Sequence, residues 1–260
     1  MVKVIMHGCS GKMGHVVADI VNSDPDCVMA AGVDVAKAED IDFDFYTSVG
    51  ECETCGDVVI DFSTAKAVDK LLEDCAAKKL PLVLCTTGLS EEQLAKVEET
   101  SKVIPVLRSA NMSLGINLLS KLLKQAAQVL SPAGFDIEIV ERHHNRKVDA
   151  PSGTALMLAD AAKEGLDYDV EYNYGRHERR MARPKNEIGI SAVRGGTIVG
   201  VHEVIFAGRD EVIEIRHEAQ SREIFASGAV KAAKVLTTVT APGLYNMQQL
   251  VAAQNEGGSL

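Results

Sequence analysis

From residue 2 to residue 107, short unbroken apolar runs alternate with helically spaced segments, and few folds accept that pattern. The runs are Val2–Met6, Val28–Val33, Val58–Phe62, Leu82–Cys85 and Val103–Leu107, with a helical pattern at Val16–Asn22. Strands that are apolar throughout are buried on both faces, which implies an α/β domain with a doubly wound parallel sheet. From Leu114 the pattern changes. A long helix is predicted over Leu114–Leu130, with Leu118, Leu119, Leu122 and Leu123 as an apolar stripe. Strands of period two follow around Phe135–Val140, Ile188–Ala192 and Val212–Ile215, the mark of a mixed or antiparallel sheet with one wetter face. Helices return at Ile224–Val239 and Leu244–Val251, separated by Thr240-Ala-Pro-Gly. The expected organisation is a first domain over 1–113 completed by 222–260, and an α+β domain on an open mixed sheet over 114–221.

The first strand runs directly into MHGCSGKMGHVV, with glycines at 8, 11 and 14. Such spacing allows a tight turn and a close approach of backbone to a pyrophosphate at a helix N-terminus. Asp34 ends the second strand 20 residues after Gly14, where an acid can bind both hydroxyls of an adenosine ribose. Lys12 is followed by Met13, not by the Ser or Thr of a magnesium-binding phosphate loop. Asp34 repels a 2′-phosphate and Val35 brings no cation, so NADH preferred, or NADH and NADPH both used with help from Lys12, is the expectation.

A formal net charge of −10 disfavours nucleic acid or an anionic membrane as partner. An anionic ligand must then meet a local basic patch. Two are present: Arg142 to Lys147, and Arg176, Arg179, Arg180, Arg183 with Lys185. The second patch reads equally well as a substrate contact or a solvated face, and residues 164–187 as a flap or a surface connection. All six cysteines precede residue 86, which suits reduced thiols. Cys52-Glu-Thr-Cys55 has redox or zinc spacing, but no second such pair or suitably spaced histidine accompanies it, so no metal is expected. With a strand at the first residue and no apolar run near the ~18 residues of a membrane span, the expected location is cytoplasmic.

The stretch ERHHNRKVDAPSGTAL, residues 141–156, carries the most chemistry. Ser152 is the expected N-cap, with Gly153, Thr154 and Ala155 opening a helix to about Lys163. Free amides there, with the Thr154 hydroxyl, make a carboxylate site. His143, His144 and Lys147 add proton-bearing groups, and one histidine can act as general acid after hydride delivery. The two histidines are adjacent, so they face opposite ways if the strand persists.

Glu141-Arg-His-His-x-x-Lys-Val-Asp-Ala-Pro-Ser-Gly-Thr-Ala resembles the signature of the dihydrodipicolinate (4-hydroxy-tetrahydrodipicolinate) reductase family. The resemblance extends to Gly8-x-x-Gly11-Lys-Met-Gly14, Asp61-Phe-Ser, Thr86-Thr-Gly88, Ala110-Asn-Met-Ser-Leu-Gly115 and Ser221-Arg222-x-x-Phe225-Ala-x-Gly228-Ala229, and covers essentially the whole chain. It implies a Rossmann-type domain completed by C-terminal helices, a mixed-sheet domain building a homotetramer, and NAD(P)H-dependent reduction of a small cyclic dicarboxylate in lysine and diaminopimelate synthesis. It also implies His143 as acid/base and Lys147 as second proton donor. His144, Gly153 and Thr154 would hold carboxylates, with Arg222 a further anion contact. Gly8, Cys9, Ser10, Gly11, Lys12, Met13 and Asp34 would hold the adenosine pyrophosphate half; Cys85, Thr86, Thr87, Ser109, Ala110, Asn111 and Met112 would line the nicotinamide. Cys85 replaces the family's usual glycine, Ser63 a threonine, and Met112 stands where an aromatic is frequent. Other readings are a related amino-acid or semialdehyde dehydrogenase, a catalytically silent nucleotide sensor, or a thiol redox protein using Cys52 and Cys55.

Overall fold

The computed structural model describes residues 1–109, 111–177 and 180–256, with side chains through 251. In chain order the elements are β1 (Val2–His7), α1 (Lys12–Ser23), β2 (Cys27–Val33), β3 (Asp44–Tyr46), β4 (Val58–Asp61), α2 (Ala65–Lys78), β5 (Leu82–Leu84), α3 (Glu91–Ser101), β6 (Pro105–Arg108), α4 (Leu114–Leu130), β7 (Asp136–His143), α5 (Gly153–Lys163), β8 (Glu171–Asn173), β9 (Glu187–Arg194), β10 (Gly200–Ala207), β11 (Val212–Ala219), α6 (Glu223–Leu236), β12 (Gly243–Tyr245) and α7 (Met247–Glu256). They form two compact units, Met1–Leu114 with Glu223–Leu260, and Gly115–Arg222.

The first unit is a parallel seven-stranded sheet in the order β12-β6-β5-β4-β1-β2-β3. Alternate residues of its central strands serve opposite faces. Val4, Met6, Val58 and Ile60 pack with Val17 and Val21 of α1 and with Ala226, Ala229, Ala233 and Leu236 of α6. Ile5, Val59 and Leu82 pack with Leu71 and Leu72 of α2 and Val97 of α3. Each large side chain fully buried in this way contributes roughly 1.5–3 kcal/mol, so the double covering explains the apolar runs.

One expectation for this unit needs correction, and one strand was not anticipated. The helix expected from Leu244 begins only at Met247, because Gly243–Tyr245 adds to the sheet as a strand parallel to β6. Asn246 sets that start: its side chain accepts from the Gln249 amide at 2.9 Å, and the Gln249 side chain accepts from the Asn246 amide at 2.9 Å. Three-residue β3 was not foreseen; it is too short to show a period and is held by pairing with β2.

In the second unit a five-stranded sheet runs β11-β10-β7-β9-β8, with β10 antiparallel to β7 and β11, and β9 parallel to β7 and β8. It is mixed, as expected, but its second strand from the edge, β10, escaped the sequence reading. The leucine stripe also splits. Ile116, Leu119, Leu123 and Ala127 of α4 are buried with Ile137, Ile139 and Phe206, whereas Leu118 and Leu122 are exposed. At 100° per residue, neighbours such as 118 and 119 cannot share a narrow face. No described helix is long and apolar enough to cross a membrane.

Candidate active site

In the first unit the glycine loop joins β1 to α1. Gly8 has φ +85°, and a Cβ there would lie 2.9 Å from the Phe62 carbonyl oxygen; at Gly14 it would lie 2.3 Å from the Gly8 oxygen. Any side chain would push the turn open. Asp34 locks the loop: one carboxylate oxygen accepts from the Ser10 amide at 3.0 Å and the other from the Val35 amide at 2.7 Å. The Ser10 hydroxyl donates to the Ala36 carbonyl at 2.6 Å. Gly11 caps α1, Lys12 is exposed, Met13 leans on the core and Cys9 is buried.

A cavity of about 370 Å³ opens beside this loop, lined by His7, Gly8, Gly11, Asp34, Phe62 and Ser63 among others. A cradle closed to any Cβ, with an acid at the end of β2, suits a dinucleotide's pyrophosphate and ribose. Cys85, Thr86 and Thr87 follow β5, and Ser109, Asn111 and Met112 follow β6, all beyond the carboxyl ends of neighbouring strands. Thr86 and Asn111 are buried, Thr87 is exposed, and the Ser109 hydroxyl donates to the Asn111 carbonyl at 3.0 Å. The Met112 side chain lies in the core with Ala229. Ala110 lies outside the described residues.

The sequence reading missed His7, which also lines this cavity. Its Nδ1 lies 2.7 Å from Asp61 Oδ1, and both residues are buried. Burial pushes the Asp61 carboxyl up, but the His7 hydrogen bond and charge pull it down further, below the usual value. The motif Asp61-Phe-Ser was the available signal, though nothing in it points to His7.

In the second unit β7 ends at His143 and half-buried His144 opens the loop beyond it, so the strand does not extend over both histidines. His143 is buried, and its Nδ1 lies 2.6 Å from Glu141 Oε2. Glu141 is wholly buried and takes three further hydrogen bonds: from Arg194 at 2.7 and 2.8 Å, and from the Ser152 amide at 2.9 Å. Burial pushes its carboxyl up; Arg194, His143 and the Ser152 amide together bring it below the usual range. The Ser152 hydroxyl caps α5 by accepting from the Ala155 amide at 3.1 Å, and it meets His202 Nε2 at 3.0 Å. The His202 and His143 rings stand edge to face, 5.1 Å apart. Burial, then the charge of His143, pushes His202 down to about 3.

Gly153 and Thr154 open α5 as expected, and a Cβ at Gly153 would meet nothing within 4 Å. Lys147 Nζ lies 2.8 Å from Asp149 Oδ1. The Lys147 hydrogen bond, with the Gly153 amide as a smaller contributor, holds the Asp149 carboxyl below its usual range. An internal carboxylate thus sits against Lys147 just before the start of α5. His144 is pushed down by burial and then by the charges of Arg146 and Arg222; Arg222 is exposed.

Two arginines of the other basic cluster are spent on structure. Arg176 binds Glu138 at 2.6 Å and also Glu187, and Arg183 binds Asp136 and Glu138, each at 2.8 Å. These ties fasten β7 to β9. Arg180 and Lys185 are exposed, and Arg179 lies outside the described residues. Cys52 is buried with its thiol pushed up to about 11 by desolvation, while Cys55 is exposed, which does not suit a thiolate nucleophile. Among the described residues no three or more His, Cys, Asp or Glu gather as metal ligands.

A doubly wound sheet with a glycine-loop cradle and a second unit bearing a carboxylate-paired histidine define the class: nicotinamide-dependent oxidoreductases. Residues 2–112 match the family model for the N-terminus of dihydrodipicolinate reductase, and residues 115–251 that for its C-terminus. The chain belongs to the dihydrodipicolinate reductase family. It is 57% identical over 251 residues to the 4-hydroxy-tetrahydrodipicolinate reductase of Caldanaerobacter subterraneus subsp. tengcongensis, covering 96% of this chain and 98% of that protein. With the enzyme of the same name from Clostridium novyi it shares 49% identity, covering 98% of this chain and all of that protein. Among solved structures, dipicolinate-bound dihydrodipicolinate reductase from Paenisporosarcina sp. TG-14 superposes with TM-score 0.80 at 23% identity, covering 96% of this chain and 99% of that one. Diaminopimelate dehydrogenase of C. glutamicum shares the fold alone, at TM-score 0.57 and 13% identity, over 95% and 93% of the two chains.

Proposed function

We propose that this chain catalyses the NAD(P)H-dependent reduction of 4-hydroxy-tetrahydrodipicolinate to tetrahydrodipicolinate, in lysine and diaminopimelate biosynthesis. The observation that carries the reading is the Glu141–His143 pair beside a helix start where Lys147 already holds a carboxylate. A bound reduced nicotinamide supplies the hydride. The electron-rich product then takes a proton, and His143 is the group to give it. Lys147 trades Asp149 for a substrate carboxylate and serves as second donor. The Gly153 and Thr154 amides, with His144 and Arg222, hold the remaining negative charge; such grips matter most where charge develops during reaction.

On the first unit the glycine loop and Asp34 hold the adenosine pyrophosphate half, and residues 85–87 and 109–112 receive the nicotinamide. Asp34 accepts ribose hydroxyls and repels a 2′-phosphate, and Val35, 93% exposed, brings no compensating charge. NADH is therefore preferred, or both cofactors are used. The resemblance implies a homotetramer; the exposed apolar side chains of Val212 and Ile213 on edge strand β11 offer surface for self-association, and light scattering would count the subunits. The deciding assay adds the product of the preceding synthase and follows NADH absorbance. Its prompt loss, at a rate unchanged in Cys52→Ser, is expected; a silent trace overturns the substrate reading, and a Cys52-dependent one restores the thiol alternative.

A further inference from the structure

The histidine read as the proton donor has two ring nitrogens, and which of them faces substrate is not given by its being there. We propose that Glu141 is the positioning residue of this site: clamped by Arg194 and the Ser152 amide, it takes the Nδ1 proton of His143, so that Nε2 is the nitrogen that exchanges a proton with the substrate. The inference rests on the reading of His143 as acid, and extends it to residues that reading leaves without a role.

The carboxylate of Glu141 is fully subscribed. Oε2 accepts from His143 Nδ1 and Arg194 Nη1, and Oε1 from the Ser152 amide and Arg194 Nη2, all between 2.6 and 2.9 Å. It therefore has no rotational freedom, and no neighbour other than His143 could be an acceptor. A neutral imidazole carries one N–H; facing an acceptor-only carboxylate, that proton sits on Nδ1 and Nε2 is left bare. Ring reversal is opposed by the His202 ring, packed edge to face at 5.1 Å and itself bonded to Ser152. On the opposite edge the backbone gives way. A Cβ at Gly200 would come 3.1 Å from His143 Nε2, tighter than ordinary contact, so the absent side chain spares that nitrogen a clash. In the step itself the Nε2–H bond of the imidazolium breaks as a C–H bond forms on the reduced ring. The neutral imidazole that remains holds its one proton on Nδ1 against Glu141 and regains the other from water.

Glutamine at 141 cannot reproduce this arrangement. Its NH₂ must confront either the Arg194 Nη2 and Ser152 amide donors or Arg194 Nη1 together with His143 Nδ1; only in the second placement can one of the two partners, the imidazole, turn into an acceptor, by moving its proton to Nε2. ¹⁵N NMR of the ligand-free protein with neutral His143 should find the proton on Nδ1. Glu141→Gln should move it to Nε2 and lower kcat about 10²- to 10⁴-fold, leaving KM for the dinucleotide within twofold. Gly200→Ala should keep the Nδ1 proton yet lower kcat about tenfold by crowding Nε2. A wild-type proton on Nε2, or Glu141→Gln with tautomer and kcat both unchanged, overturns the proposal. If Glu141→Gln does not fold, the wild-type tautomer and Gly200→Ala decide, and a Gly200→Ala enzyme of full rate overturns it. The tautomer is read without substrate, so a protein with the expected Nδ1 proton that fails to reduce the dicarboxylate counts against the substrate reading and for the role of Glu141.

Discussion

The two units build their sites from different materials. Beside β1 the cradle is mostly backbone: Gly8 and Gly14 make room by having no side chain, and Asp34 steadies the turn through the Ser10 amide. Beside β7 the site is made of side chains that meet over long sequence distances, with Glu141 bound to Arg194 and Ser152 to His202, 53 and 50 residues apart. A backbone cradle recognises a group common to every dinucleotide and tolerates no bulk. A side-chain cluster sets protonation and orientation, and fails by losing a charge or a partner.

This contrast can be broken most sharply at His143. His143→Gln should lower kcat by 10²- to 10⁴-fold with KM for the dinucleotide nearly unchanged, and steady-state kinetics with both substrates would show it; equal losses in both would mean that the sites are not separable. Acid is the next lever. An unfolded histidine takes up a proton near pH 6.5, which folded His202 refuses until about 3, so its contribution is complete above pH 6.5 and is lost as pH falls through that window. The ceiling is about 5 kcal/mol. Urea unfolding at pH 7 and pH 4.5 should show a smaller acid loss in His202→Asn than in the wild type; an identical loss removes His202 from the account.

The cradle should fail differently. Gly14→Ala places a methyl 2.3 Å from the Gly8 oxygen, and dinucleotide affinity, read by calorimetry, should drop about 100-fold. The smallest effect concerns cofactor choice. Asp34→Asn keeps one acceptor for the loop but removes the charge, and should raise kcat/KM for NADPH relative to NADH about tenfold. A wild-type enzyme already strongly selective for NADPH would contradict the role given to Asp34.

How much was legible follows the same division. The loop, Asp34, the Ser152 cap and α5 could all be read, because glycine spacing, capping and helical period are encoded within a few residues. His143 and Lys147 could be singled out by type. Their partners could not. Arg194 lies opposite His143 across β7–β9, and His202 opposite Glu141 across β7–β10; β10 itself was missed, so no register was available to bring His202 forward. Arg176 and Arg183 looked as suitable for substrate as for structure until Asp136, Glu138 and Glu187 were found holding them.

The amino-acid order by itself determined a doubly wound sheet and a mixed-sheet partner unit, and it singled out the candidate groups of residues 141–156, since turn chemistry and the periods of strand and helix act locally. Tertiary structure alone decided which buried carboxylate faces His143, which arginine keeps that carboxylate charged and which arginines are spent on the frame. Those pairings depend on strand register and burial, and both are properties of the assembled sheet, not of any segment within it.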